Sequence, residues 1–307
     1  MKILVTGGAG FIGSNIVDEL LKRNHSVRIL DNFSTGKREN IQEFFKDIEL
    51  IEGDIRNYTT VENSVKGIEV ILHQAALPSV PRSINDPLST NEVNISGTLN
   101  ILEAARLNGV RRLIFASSSS VYGNSTELPK HEGLKPNPLS PYAVSKLTGE
   151  YFCKVYSEIY GLETIALRYF NVFGPRQDPN SEYSAVIPKF IKAFMENRQP
   201  VIYGDGTQSR DFTYVENVVE ANILAISMMY QSWLTMNCAT SNPITLNELV
   251  KQLNSLSTKN IIPIYNKSKP GDIKHSYADI SLIRNELGYK PKTDFINGLF
   301  KLFQIMC

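Results

Sequence analysis

A tyrosine and a lysine four residues apart, Tyr142 and Lys146, have the chemistry of a general base and of a group that tunes it. On a helix, side chains at this spacing share one face. A phenol has an ordinary pKa of about 10, so acting as a base near pH 7 requires the phenolate to be favoured by about 4 kcal/mol. Because a neighbouring ammonium favours the phenolate, the pair predicts proton removal from a substrate hydroxyl.

Spacing alone does not establish this pair. With 14 tyrosines in the chain, about one such pair arises by chance, and Tyr265 and Lys269 form a second one. The first pair stands in the first turns of a long predicted helix that follows a strand and a serine run, whereas the second stands in a lysine-rich loop ending at Pro270. Context therefore favours the first pair; the alternative is a half-buried aromatic beside a solvated lysine.

Four serines, Ser117 to Ser120, end the predicted strand that precedes this helix. Open α/β sheets bind their ligands at the carboxyl edge of the strands, so a hydroxyl there can bridge Tyr142 and a substrate oxygen. We expect two or three of the four serines to cap a helix or form a turn instead.

A glycine cluster at residues 7–13 follows the first predicted strand and opens a helix expected to begin near Ser14. Glycines permit a tight turn, and the backbone N–H groups of a helix N-terminus can approach a pyrophosphate. Asp31 closes the second predicted strand, 18 positions after Gly13. Its carboxylate can accept hydrogen bonds from a ribose and repels a 2′-phosphate, so the pattern predicts NAD rather than NADP.

Two further features flank this predicted nucleotide site. Lys37 and Arg38 are nearby cations, which we interpret as a solvated charge pair rather than a phosphate clamp. Asp54 ends the third predicted strand, where it would either bind the adenine amino group or serve as a helix N-cap.

The elements that position these residues alternate through the first half of the chain, with short apolar strands between amphipathic stretches. This predicts a doubly wound parallel α/β (Rossmann) sheet with a smaller α/β C-terminal substrate lobe. Ser140, Pro141 and Gly161 mark the cap, first turn and end of the Tyr142 helix. We expect residues 1–171 with about 212–240 to form the cofactor domain, and 172–211 with about 241–307 the substrate lobe.

Composition limits the partners. The 32 basic and 31 acidic residues leave no charge surplus for nucleic acid or an anionic membrane, so the expected partner is a small molecule. Cys153, Cys238 and Cys307 share no metal-ligand spacing, so we expect no metal and a reducing compartment. The short apolar stretch at the N-terminus does not resemble a signal peptide, and a cytoplasmic protein is expected.

These residues belong to a longer series of ordered motifs. From Met1 to about Phe300 the chain resembles the extended short-chain dehydrogenase/reductase family, and within it the NAD-dependent nucleotide-sugar 4-epimerases. The motifs are TGGAGFIG, LDN at 30–32, GDI at 53–55, HQAA at 73–76, SSSSVYG, SPYAVSK, RYFNVFGPR, GDGTQSRDF and KPGD.

The resemblance implies a mechanism in which hydride passes from the sugar C4 to NAD and returns to the other face of the 4-keto sugar. Tyr142 is the implied base and Lys146 the residue that holds the nicotinamide ribose and tunes Tyr142. Ser118 is the implied helper hydroxyl, with Ser119 as the alternative. Arg210 would pair with the diphosphate; its alternative role is a surface ion pair with a neighbouring carboxylate, Asp211 or Glu216.

The resemblance also implies two binding sets. The cofactor set is Gly7, Gly10, Phe11, Ile12, Gly13, Asp31, Asn32, Ser34, Thr35, Gly36, Asp54, Ile55, Gln74, Ala75, Ala76, Asn94, Tyr142, Lys146 and Phe170. The substrate set is Arg82, Ser83, Ser118, Tyr142, Asn171, Ala185, Val186, Lys189, Tyr203, Arg210, Lys269, Asp272 and Ser276.

Departures from the family pattern refine the expected substrate. Ser119 and Ser120 stand where related 4,6-dehydratases carry an Asp-Glu pair and decarboxylases a Glu, which argues against both chemistries. Lys269 replaces an arginine expected at the diphosphate. Ser276 replaces a bulky tyrosine and leaves room for a 2-acetamido group, so we expect UDP-N-acetylglucosamine and UDP-N-acetylgalactosamine as substrates, with the plain hexoses as a further option. Residues 79–87 resemble N-acetyl-using epimerases.

Two alternatives stay open from sequence. Within the enzymes, the chain could be a UDP-glucuronate 4-epimerase or a nucleotide-sugar 4,6-dehydratase. Outside them, it could be an NAD-sensing binding protein that uses the same fold. The family usually forms a homodimer through the helix of Tyr142 and the helix near Leu99 to Leu107, so a homodimer built on a four-helix bundle is expected.

Overall fold

Parallel strands and the helices between them make up most of the computed structural model, which describes residues 1–178, 186–229, 232–268 and 273–306. The strands are β1 Lys2–Thr6, β2 Ser26–Asp31, β3 Ile48–Glu52, β4 Val70–His73, β5 Arg112–Ser118, β6 Glu163–Tyr169, β7 Val172–Phe173, β8 Val201–Tyr203, β9 Ser209–Asp211, β10 Thr213–Tyr214, β11 Trp233–Cys238, β12 Pro243–Thr245, β13 Ile264–Asn266 and β14 His275–Ser276. The helices are α1 Phe11–Lys22, α2 Tyr58–Val65, α3 Val80–Asn85, α4 Pro87–Asn91, α5 Gly97–Leu107, α6 Pro141–Tyr160, α7 Val186–Met195, α8 Val215–Ser227, α9 Leu246–Ser257, α10 Ser281–Leu287 and α11 Phe295–Met306.

The central sheet has seven strands in the order β11-β6-β5-β4-β1-β2-β3, and every neighbouring pair is parallel. The predicted doubly wound parallel sheet is confirmed. The chain winds outward in both directions from β1, which makes the gap above the carboxyl ends of β1 and β4 the switch point where such sheets bind ligands.

Alternation along the strands supplies two apolar layers, one on each face. On β1, Ile3 and Val5 belong to the core beneath α1 and α8, whereas Leu4 belongs to the opposite core beneath α2, α5 and α6. Buried on both faces, these strands read as continuous apolar runs in the sequence, as parallel strands do.

Helix α6 carries the predicted base and is bounded as expected. The Ser140 side chain accepts a hydrogen bond from the Ala143 N–H at 3.1 Å, Pro141 begins the helix, and Gly161 ends it in the left-handed conformation with φ 72°. At Gly149 a Cβ atom would lie 2.3 Å from the Phe115 ring, so the glycine lets α6 lie directly against β5. The position of Tyr142 relative to the sheet depends on this close packing.

A third apolar cluster lies outside the central sheet and combines residues of α7, α9 and α11 with Phe173, Phe212 and Tyr214. The short strands β8, β9, β12, β13 and β14 accompany it. Residues from Ala278 to Tyr289 return to the core of the central sheet, where the Tyr289 hydroxyl donates to the carbonyl of Ala239 at 3.0 Å. The division into two domains stays a prediction.

Among the described residues, no helix combines the length and the apolar character needed to span a bilayer.

Candidate active site

The glycine turn begins directly after β1. Gly7 has φ 68°, and its N–H donates to the Leu30 carbonyl at 2.8 Å. A Cβ at Gly13 would lie 2.1 Å from the Gly7 oxygen, so this position accepts glycine alone without a shift of the backbone. Helix α1 begins at Phe11 and not near Ser14 as predicted, because Gly10 is extended and takes the cap position. The first-turn amides of α1, which have no partner within the helix, therefore stand at the turn.

A cavity of about 220 Å³ opens above this turn, at the switch point of the sheet. Most of the predicted cofactor residues line it. They are Gly7, Gly10, Phe11, Ile12, Gly13, Asp31, Asn32, Ser34, Thr35, Asp54, Ile55, Gln74, Ala75, Ala76, Tyr142 and Lys146.

Three predicted cofactor residues are placed behind this lining. Gly36 packs against the Asp31 carboxylate, and a Cβ atom at this position would lie 2.9 Å from Oδ2. Phe170 is fully buried in the core of the central sheet, and Asn94 is buried in a hydrogen-bond network described below. Their sequence motifs indicated the right region, but the direction of each side chain is set by packing.

The cavity is also lined by residues that we did not predict: Leu30, Gly53, Leu77, Pro78, Val93, Ala116, Ser117 and Tyr169. Tyr169 ends β6; its hydroxyl oxygen accepts the Asn222 amide N–H at 2.8 Å and lies 3.3 Å from the Gln74 side-chain oxygen. The signal that could have found it is its place at the carboxyl end of a strand, once β6 is known to lie beside β5.

Asp31 holds the turn together as well as facing the cavity. Its Oδ2 accepts the Ala9 N–H at 2.9 Å, and its Oδ1 accepts the Phe33 N–H at 2.8 Å. Burial raises the pKa of this carboxyl, and the two backbone donors oppose that rise. Each carboxylate oxygen can accept more than one hydrogen bond, so capacity for ribose hydroxyls remains.

Asp54 does not cap a helix, so that alternative is wrong. Asn57 is the N-cap of α2 and accepts the Thr60 N–H at 3.0 Å. Asp54 instead accepts hydrogen bonds from the Arg56 guanidinium and from the Asn32 amide. The Arg56 hydrogen bonds are the main reason that the pKa of Asp54 falls to about 2.

The two cations near the nucleotide region are engaged in ion pairs. The Lys37 ammonium lies 2.8 Å from Asp178, and the Arg38 guanidinium lies 2.5 Å from Glu52. These contacts agree with two surface cations rather than a phosphate clamp. The charged side chain that faces the cavity from the end of β2 is Asp31.

Tyr142 and Lys146 meet at the inner wall of the cavity. The buried Lys146 ammonium donates to the Ala116 carbonyl at 2.8 Å and lies 5.9 Å from the centre of the Tyr142 ring. Burial lowers the pKa of Lys146 to about 8 and raises the pKa of Tyr142, while a hydrogen bond with Ser118 opposes the rise. The protein alone therefore keeps the phenol protonated at neutral pH, and a positive group in the cavity would shift it towards phenolate.

The serine run divides into distinct environments. Ser117 donates to Glu150 at 2.5 Å, and Ser118 caps a short 3-10 segment, Ser119–Tyr122, by accepting the Ser120 N–H at 3.2 Å. The Ser120 hydroxyl is buried without a hydrogen-bond partner in the described part of the chain. Of the four, Ser118 is the one whose hydroxyl opposes the rise in the pKa of Tyr142. Ser119 is the partly buried first residue of the 3-10 segment.

A buried polar chain runs beneath the cavity from β1 to α5. The Ala75 N–H donates to the Thr6 hydroxyl, and that oxygen lies 2.7 Å from His73 Nδ1. His73 Nε2 lies 3.0 Å from the Thr98 hydroxyl, which donates to the Asn94 carbonyl at 2.6 Å. Since the Thr98 proton is already used, His73 must carry its proton on Nε2 and accept at Nδ1.

Asn94, in a π-helical segment between α4 and α5, extends this chain to the base. Its amide bonds both the N–H and the carbonyl of Leu77, at 2.8 and 3.2 Å, and donates to the Ser145 hydroxyl at 3.1 Å. Ser145 in turn donates to the Tyr142 carbonyl at 2.8 Å. Asn94 therefore connects Leu77, in the loop after β4 that lines the cavity, to α6. Asn94 does not itself line the cavity.

A second cavity, of about 290 Å³, lies between β7, α7 and β9. Three predicted substrate residues line it, Asn171, Val186 and Arg210. The Arg210 guanidinium donates to the carbonyls of Ser209 and Lys274 at 2.9 and 3.3 Å. Of the two carboxylates weighed as its surface partners, Asp211 accepts from Thr240, Ser241 and Ala278, and Glu216 pairs with Lys301.

The remaining predicted substrate residues are placed around these cavities or beyond the described chain. Ser276 is the strand partner of Arg210, and Tyr203 accepts at its carbonyl a hydrogen bond from Gln208, which lines the second cavity. Lys189 is exposed on α7; Arg82 and Ser83 lie on α3, where the buried Ser83 hydroxyl donates to the Val80 carbonyl. Ala185, Lys269 and Asp272 lie outside the described residues.

The tyrosine of the second Tyr-x-x-x-Lys pair lies in a strand and not in a loop, so the predicted loop is wrong at this residue. Tyr265 lies on the exposed strand β13, and its hydroxyl donates to Asn247 at 2.9 Å. Its sequence partner Lys269 lies outside the described residues. Tyr265 does not line the cavity of Tyr142.

Several known proteins resemble this chain over nearly its whole length. The profile of the NAD dependent epimerase/dehydratase family matches residues 3–238. A putative UDP-glucose 4-epimerase of Methanocaldococcus jannaschii is 40% identical over 306 residues, 99% of this chain and 98% of its own. The solved structure of a UDP-N-acetylglucosamine 4-epimerase from Methanobrevibacter ruminantium, in complex with UDP-N-acetylmuramic acid, is 42% identical with a TM-score of 0.95, over 99% of this chain and 97% of that one. A Thermus thermophilus UDP-glucose 4-epimerase in complex with NAD is 37% identical with a TM-score of 0.89, over 99% and 98%.

The buried His73 predicts a specific pH dependence of stability. Burial lowers its pKa from 6.5 to about 3. Because the folded pKa lies below the unfolded one, its contribution is fully present above pH 6.5 and is lost as the pH falls towards 3, by up to about 1.4 kcal/mol per pH unit. Urea denaturation at several pH values should show a steeper loss of unfolding free energy for the native chain than for His73→Gln. Parallel curves below pH 6.5 would contradict the neutral, buried imidazole.

Proposed function

The chain belongs to the NAD-dependent epimerase/dehydratase family, and on that premise we propose that it is a UDP-sugar 4-epimerase that interconverts UDP-N-acetylglucosamine and UDP-N-acetylgalactosamine. The observation that carries the proposal is one shared cavity. The glycine turn of a dinucleotide site and a phenol with a neighbouring ammonium, Tyr142 and Lys146, line it together.

The residues present fit NAD. Gly7 and Gly13 leave no room for a side chain where the turn closes, and the first-turn amides of α1, which have no partner within the helix, can bind a pyrophosphate. Asp31 would bind the adenosine ribose, and its charge disfavours a 2′-phosphate. The chemistry that NAD supplies when bound is reversible hydride transfer at the sugar C4.

Tyr142 is the base in this proposal. Its phenolate takes the proton of the C4 hydroxyl as the carbinol is oxidised and returns it when the 4-keto sugar is reduced. Ser118, at the carboxyl end of β5, donates to the same sugar oxygen and orients it. Lys146 binds the nicotinamide ribose and, with the positive charge in the cavity, lowers the pKa that burial otherwise raises.

One observation favours epimerisation over the related reactions. Dehydration and decarboxylation need a further acid or base near C5, and the positions that would supply it are the hydroxyls Ser119 and Ser120. Epimerisation needs one base. The Tyr142 and Lys146 arrangement at the cavity wall likewise favours an enzyme over an NAD-sensing protein. A UDP-glucuronate 4-epimerase is the remaining candidate, and an assay with different sugars separates it.

Activity without added cofactor tests the proposed reaction. Purified protein incubated with UDP-N-acetylglucosamine should yield the galacto isomer, measured by chromatography or proton NMR. Tyr142→Phe should lower the rate by about 10² to 10⁴-fold, the size of general-base catalysis, with the bound NAD content unchanged.

Other outcomes of this assay have distinct meanings. A stable keto sugar would indicate a dehydratase, and turnover of UDP-glucuronate alone would indicate a UDP-glucuronate 4-epimerase. The absence of product with every UDP-sugar tested would favour an NAD-sensing binding protein. A fully active Tyr142→Phe variant would remove Tyr142 from the assigned role.

The second cavity is proposed to hold the nucleotide part of the substrate. Arg210, with a planar fork of donors, suits the diphosphate, and Asn171 and Val186 line the same space. Ser276 pairs with Arg210 across β14 and β9, which supports its role as the residue that limits the size of the sugar 2-substituent.

The size limit leads to a substitution test. Ser276→Tyr should abolish turnover of the N-acetylated pair, because the ring fills the space of the acetamido group, and should spare any turnover of UDP-glucose and UDP-galactose. Rates with all four sugars give the answer, and Ser276→Thr is the control that changes size only slightly. Loss of both pairs, or of neither, would contradict the proposal.

We also propose a homodimer formed through α5 and α6. Val144, Tyr151, Val155 and Ile159 make an apolar stripe along one face of α6, and their exposed fractions are 46, 56, 40 and 68%. A helix that exposes such a continuous stripe usually buries it against a partner. The same stripe on a second copy would complete a four-helix bundle.

The stripe predicts the effect of a charge on oligomeric state. Ile159→Glu should convert a dimer to a monomer in analytical ultracentrifugation, because the carboxylate would be buried without a partner. Ile262→Glu is the matched control, since Ile262 is 66% exposed but lies away from α6. A native chain that sediments as a monomer, or a dimer that survives Ile159→Glu, would exclude this interface.

A further inference from the structure

A buried carboxylate stands one helical turn after the lysine of the site. Glu150 follows Lys146 by four residues on α6, and its side chain is 3% exposed. Residues at this spacing have Cβ atoms about 5–6 Å apart, and a glutamate and a lysine there form ion pairs readily. Glu150 is therefore a natural competitor for the Lys146 ammonium.

The structure shows no sign of that competition among the described residues. Lys146 donates to the Ala116 carbonyl, and the causes that shift its pKa are burial and the Cys153 thiol, not Glu150. Lys146 thus behaves as a lysine without a carboxylate neighbour, although a carboxylate follows it on the same helix.

Three donors account for this. The Glu150 Oε1 accepts Arg168 Nε at 2.8 Å and the Ser117 hydroxyl at 2.5 Å, and its Oε2 accepts Arg168 Nη2 at 2.7 Å. The Arg168 side chain is 5% exposed and lies over the Tyr122 ring at 4.7 Å. Both oxygens of Glu150 are thus held by a planar fork in a buried place, the geometry in which an arginine pair is strongest.

We propose that Arg168 is a positioning residue for the reaction. Its guanidinium, which projects from β6, holds the carboxylate of Glu150 on α6, so that the Lys146 ammonium acts on Tyr142 and the cofactor ribose instead. This inference rests on the proposed roles of Tyr142 and Lys146. Ser117, the strand partner of Arg168, supports the same arrangement from β5.

Removing the fork should redirect Lys146. In Arg168→Met, Glu150 becomes a buried charge without its partner, and Lys146 is the cation one turn away on the same helix. The ammonium would turn towards Glu150, and both its withdrawal and the unpaired negative charge would raise the pKa of the Tyr142 phenol. Adding Glu150→Gln removes the charge that competes, so the double variant should recover.

The test is an ultraviolet titration of the phenolate in the NAD-bound protein. Each protein is compared with the same protein carrying Tyr142→Phe, so that the difference isolates one tyrosine. The apparent pKa of Tyr142 should rise by about one pH unit or more in Arg168→Met, the change that a lost neighbouring charge produces. In Arg168→Met/Glu150→Gln it should return close to the native value.

A second buried pair on the same strands is the control. The Arg112 guanidinium, 1% exposed, lies 2.7 Å from Glu163. These two residues are strand partners at the amino ends of β5 and β6, whereas Ser117 and Arg168 lie towards the carboxyl ends. Arg112→Met and Arg168→Met should both lower the melting temperature, but Arg112→Met should leave the Tyr142 titration unchanged. A purely structural role of Arg168 would make the two variants alike.

Each remaining outcome decides the proposal. An unchanged Tyr142 titration in Arg168→Met would overturn it, and so would a raised pKa that persists in the double variant. If Arg168→Met does not fold, Arg168→Gln, whose amide can still donate one hydrogen bond to Glu150, takes its place with the same expectation. Because the titration needs no turnover, its result is distinct from a failure of the epimerase assay.

Discussion

The proposed reaction depends on a phenol that must lose a proton inside a protein that favours keeping it. Burial raises the pKa of Tyr142 and lowers that of Lys146 to about 8, so the two groups do not form a charged pair by themselves. A base of this kind becomes active when a further positive group enters the cavity. In the proposed reaction, cofactor binding would therefore also activate the base.

The parallel sheet makes this coupling possible. Strands β1, β2, β4, β5 and β6 all end at the same edge of the sheet. As a result, the glycine turn, Asp31 and Lys146 line one cavity at this edge. Behind the edge, polar groups fix the parts relative to each other. The chain through His73 and Asn94 connects the cavity loop to α6, and the pair of Arg168 and Glu150 connects α6 to β6.

The sequence was most informative where a residue type is required by the backbone or by chemistry. The glycines of residues 7–13, the cap at Ser140 and the pair of Tyr142 and Lys146 were predicted on such grounds, and the structure places them as expected apart from the earlier start of α1. Asn94 was predicted to bind the cofactor, and the structure shows its amide bonded to Leu77 and Ser145 behind the cavity lining. Motif spacing indicates which strand end a residue occupies, but the direction of a buried amide depends on its neighbours.

By itself, the sequence determined the doubly wound sheet and the family resemblance, because apolar periodicity and required glycines are local properties. Only the tertiary structure decided which polar groups meet. Tyr169 reaches the cavity because β6 lies beside β5, and Glu150 pairs with Arg168 across α6 and β6 rather than with Lys146 on its own helix. Contacts between distant segments follow from strand order and close packing, which no stretch of sequence contains on its own.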